Sequence, residues 1–361
     1  MTPRNTALWL PKPGAPFEVG PAPYTPPAAG EVVVRVRAVA VNPIDGIPGF
    51  LYRLALPWLS FPAVVGSDVA GEVVETGPAV TGLRRGDRVL GHAFGVDRSR
   101  NRPAEGAFQH YVVLMRHMVS PVPDALPFAR AAVLPLALST AATGLFQHDH
   151  LGLALPGADR GPGPDPGPGP GPADRGETVL VWGGSTSVGS NAIQLARNAG
   201  YRVVATASPH NFDHVRSLGA AHAVDRNSPT AVAELLELIG DGPLAGTLAI
   251  GAGSLRRTVP VAARAPGGGR IASAQPAVLT RLPGWLARRH GVRVSSIWGG
   301  TLKDNEVGPA VYTDFLPTAL ATGAYRAAPD AAVVGHGLAA VPDALRELKG
   351  GVRAKKLVVT L

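Results

Sequence analysis

At 361 residues, with 45% apolar and 17% charged content, the chain is long enough for two domains and has the composition of a soluble globular protein, which excludes wholesale disorder. A formal charge of +8 suits anionic ligands, yet no Lys/Arg block or aromatic-basic array appears, which argues against nucleic acid. The absence of cysteine removes disulfides, thiolate nucleophiles and cysteine-held zinc, and neither a signal-peptide core nor an apolar run of membrane-spanning length is read, so a cytoplasmic protein with no membrane partner is expected.

In chain order, the first third reads as β-rich. Glu31 to Val41 carries alternating valines, and Val69 to Thr76, Asp87 to Leu90 and Ala107 to Leu114 follow as short strands between Gly and Pro, the pattern of a partly open barrel. Gly49 to Ser60 reads as a loop. From Phe128 the pattern changes: Ala129 to Phe146 is alanine- and leucine-rich and predicts a helix, opening an alternation of strands and helices that continues to about Trp298. His148 and His150 form a lone H-D-H at what reads as a helix end, with a surface or capping role and no third ligand at metal spacing. Gly157 to Gly176 is nearly all Pro, Gly, Asp and Arg and predicts a flexible surface loop.

Thr178 to Gly189, T-V-L-V-W-G-G-S-T-S-V-G, carries the most information. Val179 to Trp182 predicts a buried parallel strand, and Asn191 to Asn198 brings Ile193, Leu195 and Ala196 into a helical pattern. The turn between them is phosphate-sized: Gly183, Gly184 and Gly189 let the backbone approach a pyrophosphate, and Ser185, Thr186, Ser187 and Val188 lead into a helix N-terminus whose free amides favour the anion. Tyr201 to Ala207 predicts the second strand of a β-α-β unit. No carboxylate stands at its end to accept from a ribose hydroxyl; Ser208, His210 and Asn211 can instead donate to a 2′-phosphate, which favours NADPH over NADH. The alternative for Ser208 or Asn211 is to cap the helix through Leu218. Pro276 to His290 reads as a loop. After Asn305 a helix through Thr322, a strand Ala331 to Val334, a helix Pro342 to Leu348 and a last strand Lys355 to Leu361 close the chain, the strands returning to the first domain.

V-N-P-I-D (Val41 to Asp45), F-P-A-V-V-G-S-D-V-A-G-E-V-V (Phe61 to Val74), G-D-R-V (Gly86 to Val89) and L-P-L-A-L-S-T-A (Leu134 to Ala141) precede the glycine-rich turn, and A-K-K-L-V-V-T-L ends the chain. In that order they resemble the medium-chain dehydrogenase/reductases, specifically the zinc-independent quinone and enoyl reductase branch. The resemblance implies an α/β architecture: a GroES-like, partly open β-barrel catalytic domain (1–127 and 306–361) and a Rossmann doubly wound parallel sheet (128–305). Where the zinc-dependent branch carries Cys and Gly-His-Glu, this chain has V-N-P-I-D and Gly66, Ser67, Asp68, so no metal site is expected.

Without a Lewis acid to stabilise an alkoxide, the chemistry implied is NADPH-dependent reduction of an activated C=C bond, in an enone or an enoyl thioester of secondary metabolism. Quinone reduction is the alternative within enzymes; a non-catalytic NADPH-binding partner protein, or a non-redox enzyme on the same fold, are the others. Asn42 and Asp45 lie on the loop that resembles the family's substrate-side loop, and Tyr52 is the candidate proton donor, or else a loop tyrosine packed on Trp58 or Phe61. Gly46, Ile47 and Pro48 supply none of the lysine that trans-acting enoyl reductases can carry there. Asp68 reads as a buried hydrogen-bonding strut. Thr140 matches a position near the nicotinamide or caps its own turn, Ile250 and Trp298 resemble flanking regions, and Arg226 either meets adenine or the 2′-phosphate or is an ordinary surface arginine. Expected partners are a small-molecule or carrier-bound unsaturated substrate, and the expected state is a monomer or homodimer.

Overall fold

The valine alternation does form the frame of the first unit. In the computed structural model, which describes residues 3–157 and 174–361, β1 (Asn5–Leu10), β2 (Glu18–Ala22), β3 (Glu31–Ala40), α1 (Gly49–Ala55), β4 (Ala63–Val64), β5 (Asp68–Thr76), β6 (Arg88–His92), β7 (Tyr111–Met115) and β8 (Val119–Pro121) come first. The helices α2 (Phe128–Ala131) and α3 (Pro135–Phe146) follow. Next come β9 (Thr178–Trp182), α4 (Ser187–Asn198), β10 (Arg202–Ala207), α5 (Phe212–Ser217), β11 (His222–Asp225), α6 (Ala231–Ile239), β12 (Leu244–Ala249), α7 (Ser254–Arg264), β13 (Arg270–Ser273), α8 (Ala277–Arg288) and β14 (Arg293–Ser296). The chain closes through β15 (Asp330–His336), a helix Val341–Lys349 and β16 (Lys355–Thr360). Most of the Pro/Gly-rich stretch, residues 158–173, lies outside the described residues.

Two units result, Met1–Leu136 with Tyr312–Leu361, and Ala137–Val311. In the first, the strand order β15-β16-β3-β5-β6-β8, with β7 also on β3, makes the larger sheet, and β2-β1-β4 a smaller one. Val34, Val36 and Val39 of β3 join Phe108, Leu114 and Leu357 in one buried cluster. The C-terminal strands return to this unit as expected: β16 pairs antiparallel with β3, Val358 opposite Ala40. In the second unit the six parallel strands run β11-β10-β9-β12-β13-β14, the doubly wound order with its switch between β9 and β12. All five residues of β9 are buried, because a strand covered by helices on both faces has no solvent side.

Several boundaries differ from expectation. The helix read over Ala129 to Phe146 is two helices, and α2 packs on the first unit's sheet, so the units divide after Leu136 and not after 127. Tyr312, fully buried, donates to the Pro135 carbonyl at 2.7 Å and begins the returning segment, which moves the second boundary from 305 to 311. Phe128–Phe146 does reach the length and mean hydropathy, 19 residues and 1.4, at which composition alone admits a membrane span; 72% of it is buried, as in a core helix. The two stretches read as loops each contain a helix, α1 and α8.

Candidate functional site

The turn between β9 and α4 is built on two glycines where any side chain is strained. Gly183 has φ of 90°, a left-handed conformation costly for L side chains, and a Cβ on Gly189 would lie 2.2 Å from the Gly183 carbonyl oxygen. The Gly184 amide donates to Thr206 O at 2.8 Å and the Gly183 amide to Thr206 Oγ1 at 3.1 Å, which ties the turn to β10. Thr186 is the N-cap of α4: its Oγ1 accepts from the Gly189 amide at 3.0 Å and donates to Gly183 O at 2.8 Å, while its own amide also donates to Gly183 O. Its φ of −74° needs no glycine, and its side chain is committed to the cap. The first-turn amides of Ser187 and Val188, beside half-buried Ser185, are the ones a helix leaves for an anion.

At the end of β10, Ser208 and Asn211 precede a short turn and α5, and neither side chain makes the capping bond that was their alternative role. His210 lies between them on the exposed turn. The Arg226 amide donates to the Ala207 carbonyl at 3.1 Å, so the end of β11 sets this exposed arginine next to Ser208. Ser208, His210, Asn211 and Arg226 therefore gather at one sheet edge. At the neighbouring strand ends, Ile250 donates its amide to Trp182 O at 3.1 Å and packs over Gly183. Thr140 lies against Gly299, where a Cβ would be 2.8 Å from Thr140 Oγ1, and the adjoining Trp298 is 40% exposed. Trp298 follows β14 and is not one of its strand residues. The sequence-predicted cofactor residues thus converge on the C-terminal edge of the parallel sheet.

In the first unit, Asn42, Asp45, Asp68 and Lys356 form one buried polar cluster. Lys356 Nζ donates to Asn42 Oδ1 at 2.6 Å and sits 2.9 Å from Asp68 Oδ2; Asn42 Nδ2 donates to that same carboxylate oxygen at 2.8 Å. Asp68 Oδ1 accepts the Leu136 amide at 2.6 Å, in the first turn of α3, so Asp68 is the strut expected. Asp45 Oδ2 accepts the Asn42 amide at 2.8 Å, and burial, followed by the Asp68 charge, pushes the Asp45 carboxyl up to about 7. Asn42 has its carbonyl on Lys356 and its amide on Asp68, which makes it a positioning residue and not a free donor toward a substrate. Tyr52 is on α1 and not in a loop; it is buried, edge-on to Phe61 at 5.9 Å, and burial together with the Asp45 charge pushes its phenol up to about 12.

Lys356 was not singled out from the sequence. Its signal was the apolar run after A-K-K, in which a lysine entering a buried strand calls for a carboxylate partner. His150, expected at the surface or in a cap, is buried, with Nδ1 2.8 Å from Ser295 Oγ, so it joins the end of α3 to β14.

Residues 28–124 match the alcohol dehydrogenase GroES-like domain, and residues 187–307 match the zinc-binding dehydrogenase domain. The chain is 47% identical to a dehydrogenase, orf1, of Aspergillus niger over 99% of both chains. It is a medium-chain dehydrogenase/reductase. A second relative, the trans-enoyl reductase himH of Aspergillus japonicus, is 36% identical over 99% of this chain and 97% of its own. The crystal structure of the CurK enoyl reductase has the same fold, with a TM-score of 0.73 at 20% identity over 99% of each chain.

Membership makes the protein an oxidoreductase of a family that binds a nicotinamide cofactor, and the glycine cradle fits one. A zinc ion does not fit the counterpart motif positions. Asn42, Asp45 and Asp68 already bond one another and an ammonium group, and no cluster of three or more metal-ligating side chains occurs among the described residues.

Proposed function

We propose that this medium-chain dehydrogenase/reductase is an NADPH-dependent, zinc-independent reductase of an activated C=C bond in an enone or enoyl thioester. The observation that carries the reading is the Asn42–Asp68–Lys356 cluster: the lysine ammonium occupies acceptors of the motif residues Asn42 and Asp68, which suits a reduction whose electron demand is met by a carbonyl conjugated to the reacting bond. The name of the himH relative agrees with that chemistry. The four donors at the end of β10 and β11, with no carboxylate at the ribose position, favour the phosphorylated cofactor.

The nicotinamide, when bound, supplies hydride to the β-carbon of the unsaturated carbonyl. The chain's residues do the rest. The Ser187 and Val188 amides hold the pyrophosphate; Ser208, His210, Asn211 and Arg226 hold the 2′-phosphate; Thr140 bonds the carboxamide. Tyr52, whose phenol keeps its proton throughout the physiological range, is the proton source for the enolate, and its oxygen keeps the negative charge once that proton has moved to carbon, until solvent returns a proton. Asn42, Asp68 and Lys356 fix the loop that carries Asp45.

The test is fluorescence titration with NADPH and NADH, followed by cofactor oxidation with enones, pantetheine enoyl thioesters and quinones. Preferred NADPH binding with enone- or enoyl-dependent oxidation is expected, and Tyr52→Phe should lower kcat about 10²-fold at unchanged cofactor affinity. Binding without turnover on any substrate would favour a non-catalytic or non-redox role, and NADH preference would remove the 2′-phosphate argument.

A further inference from the structure

The helix α8 is amphipathic in the reverse sense. Its inward positions are small: Thr280 and Ala287 are buried, Gly284 lies 3.5 Å from Val294 Cβ by its missing Cβ, and Thr280 hydrogen-bonds Ser296 on β14. Its large apolar residues point the other way. Val278, Leu279, Leu282, Trp285 and Leu286 are 44–66% exposed, spaced to share one outward surface. A surface helix ordinarily buries its leucines and tryptophan, so five such side chains turned outward mark a face that a partner covers.

Charge says which kind of partner. Between Asp241 and Asp304 the chain has no Asp or Glu, yet it carries eight arginines and Lys303. Arginines that look scattered along the sequence are therefore uncompensated by any carboxylate in α7, β13, α8 or β14. Arg281, Arg288 and Arg289 are exposed around the apolar face, and the Arg289 guanidinium lies 4.3 Å from the Trp285 ring centroid, a pre-formed pair of the residue types that dominate interfaces. A second copy docked symmetrically on this face would set these arginines against themselves. An acidic partner complements them.

Position narrows the class. The N-terminus of α8 follows directly from the end of β13 at the cofactor-facing edge of the sheet, where Gln275 donates to Gly251 O at 2.6 Å and ties the two strand ends together. We propose that the outward face of α8 is the docking surface for an acidic acyl carrier domain, which delivers its tethered enoyl thioester to that edge. This rests on the thioester form of the proposed substrate.

The experiment titrates a fluorophore-labelled, phosphopantetheinylated acidic acyl carrier domain with the full-length protein at low and high salt. Saturable binding that weakens with salt is expected, with at least a tenfold rise in Kd for Trp285→Ala and, separately, for Arg281→Glu/Arg288→Glu. Circular dichroism and NADPH affinity of the variants check that they fold. Three results would overturn the proposal: no saturable carrier binding; carrier binding that neither variant changes; or, in place of carrier binding, a dimer in sedimentation or attachment to phosphatidylglycerol vesicles that Trp285→Ala abolishes. Wild-type turnover of a small pantetheine enoyl thioester, measured alongside, keeps the two readings apart. Carrier binding without that turnover means the reductase reading fails and the docking face stands; turnover without carrier binding means the reverse.

Discussion

Lys356 and Asp45 show how burial turns ordinary polar residues into conditions on the fold. The Lys356 ammonium is compensated by Asp68 and by the Asn42 carbonyl, so Lys356→Met would leave a buried carboxylate without its cation. Removing one partner of a buried pair costs about 3–5 kcal/mol, and urea unfolding of the variant should show a loss of that size. Asp45 acts in the opposite sense. With its carboxyl raised from 3.8 to about 7, the folded state keeps a proton that the unfolded state releases, so stability falls as pH rises from about 4 to about 7 and stays low above that. Asp45→Asn keeps an acceptor for the Asn42 amide but does not titrate. Its stability advantage over the parent should grow by about 2–3 kcal/mol between pH 5 and pH 8, read from urea unfolding at the two pH values.

At the scale of elements, the strand-turn-helix from β9 to α4 works because its glycines admit close backbone contacts. A methyl group at Gly189 would meet the Gly183 carbonyl at 2.2 Å, which forces α4 away from the turn. Gly189→Ala should cost about 1–3 kcal/mol of stability and raise the NADPH Kd at least about tenfold, since displacement of the helix N-terminus also displaces the Ser187 and Val188 amides. A titration showing unchanged affinity would mean that those amides do not carry the phosphate. A contrasting device holds the loop before β7: Arg100 meets Glu105 through two bonds of 2.7 Å and also bonds Glu31 at the start of β3, with Arg102 joining both acids at 3.1–3.3 Å. Both carboxylates are buried, and paired guanidinium groups are what allow them to be.

For the whole molecule, the assigned cofactor groups all belong to the unit Ala137–Val311, whereas the buried lysine cluster belongs to the other. Ligand linkage should therefore be visible in a localised way. At NADPH concentrations 100 times Kd the folded state gains about 2.7 kcal/mol, and hydrogen exchange should slow first at the ends of β9, β10 and α4. Protection confined to the first unit would contradict the placement of the cofactor. The charge distribution acts at this scale too. Net charge alone suggested only a mild attraction for anions, and it is the carboxylate-free run from α7 to β14 that gives the field a direction.

What the sequence by itself determined is what local physics encodes. Alternating valines imposed strands of the first unit, and the order strand, Gly-rich turn, helix imposed the β-α-β unit. Boundaries were less legible, because α2 has the composition of the helix it precedes and only packing assigns it to the first sheet. Thr186 shows a related limit: a hydroxyl at a helix N-terminus can cap or bind a ligand, and only its geometry selects the cap. The central cation was beyond local reading altogether. Lys356 and Asn42 are 314 residues apart, and no pattern within a strand tells which buried lysine will find which carboxylate; sheet pairing of β16 to β3 decides it, since only there do the two chain ends share one interior.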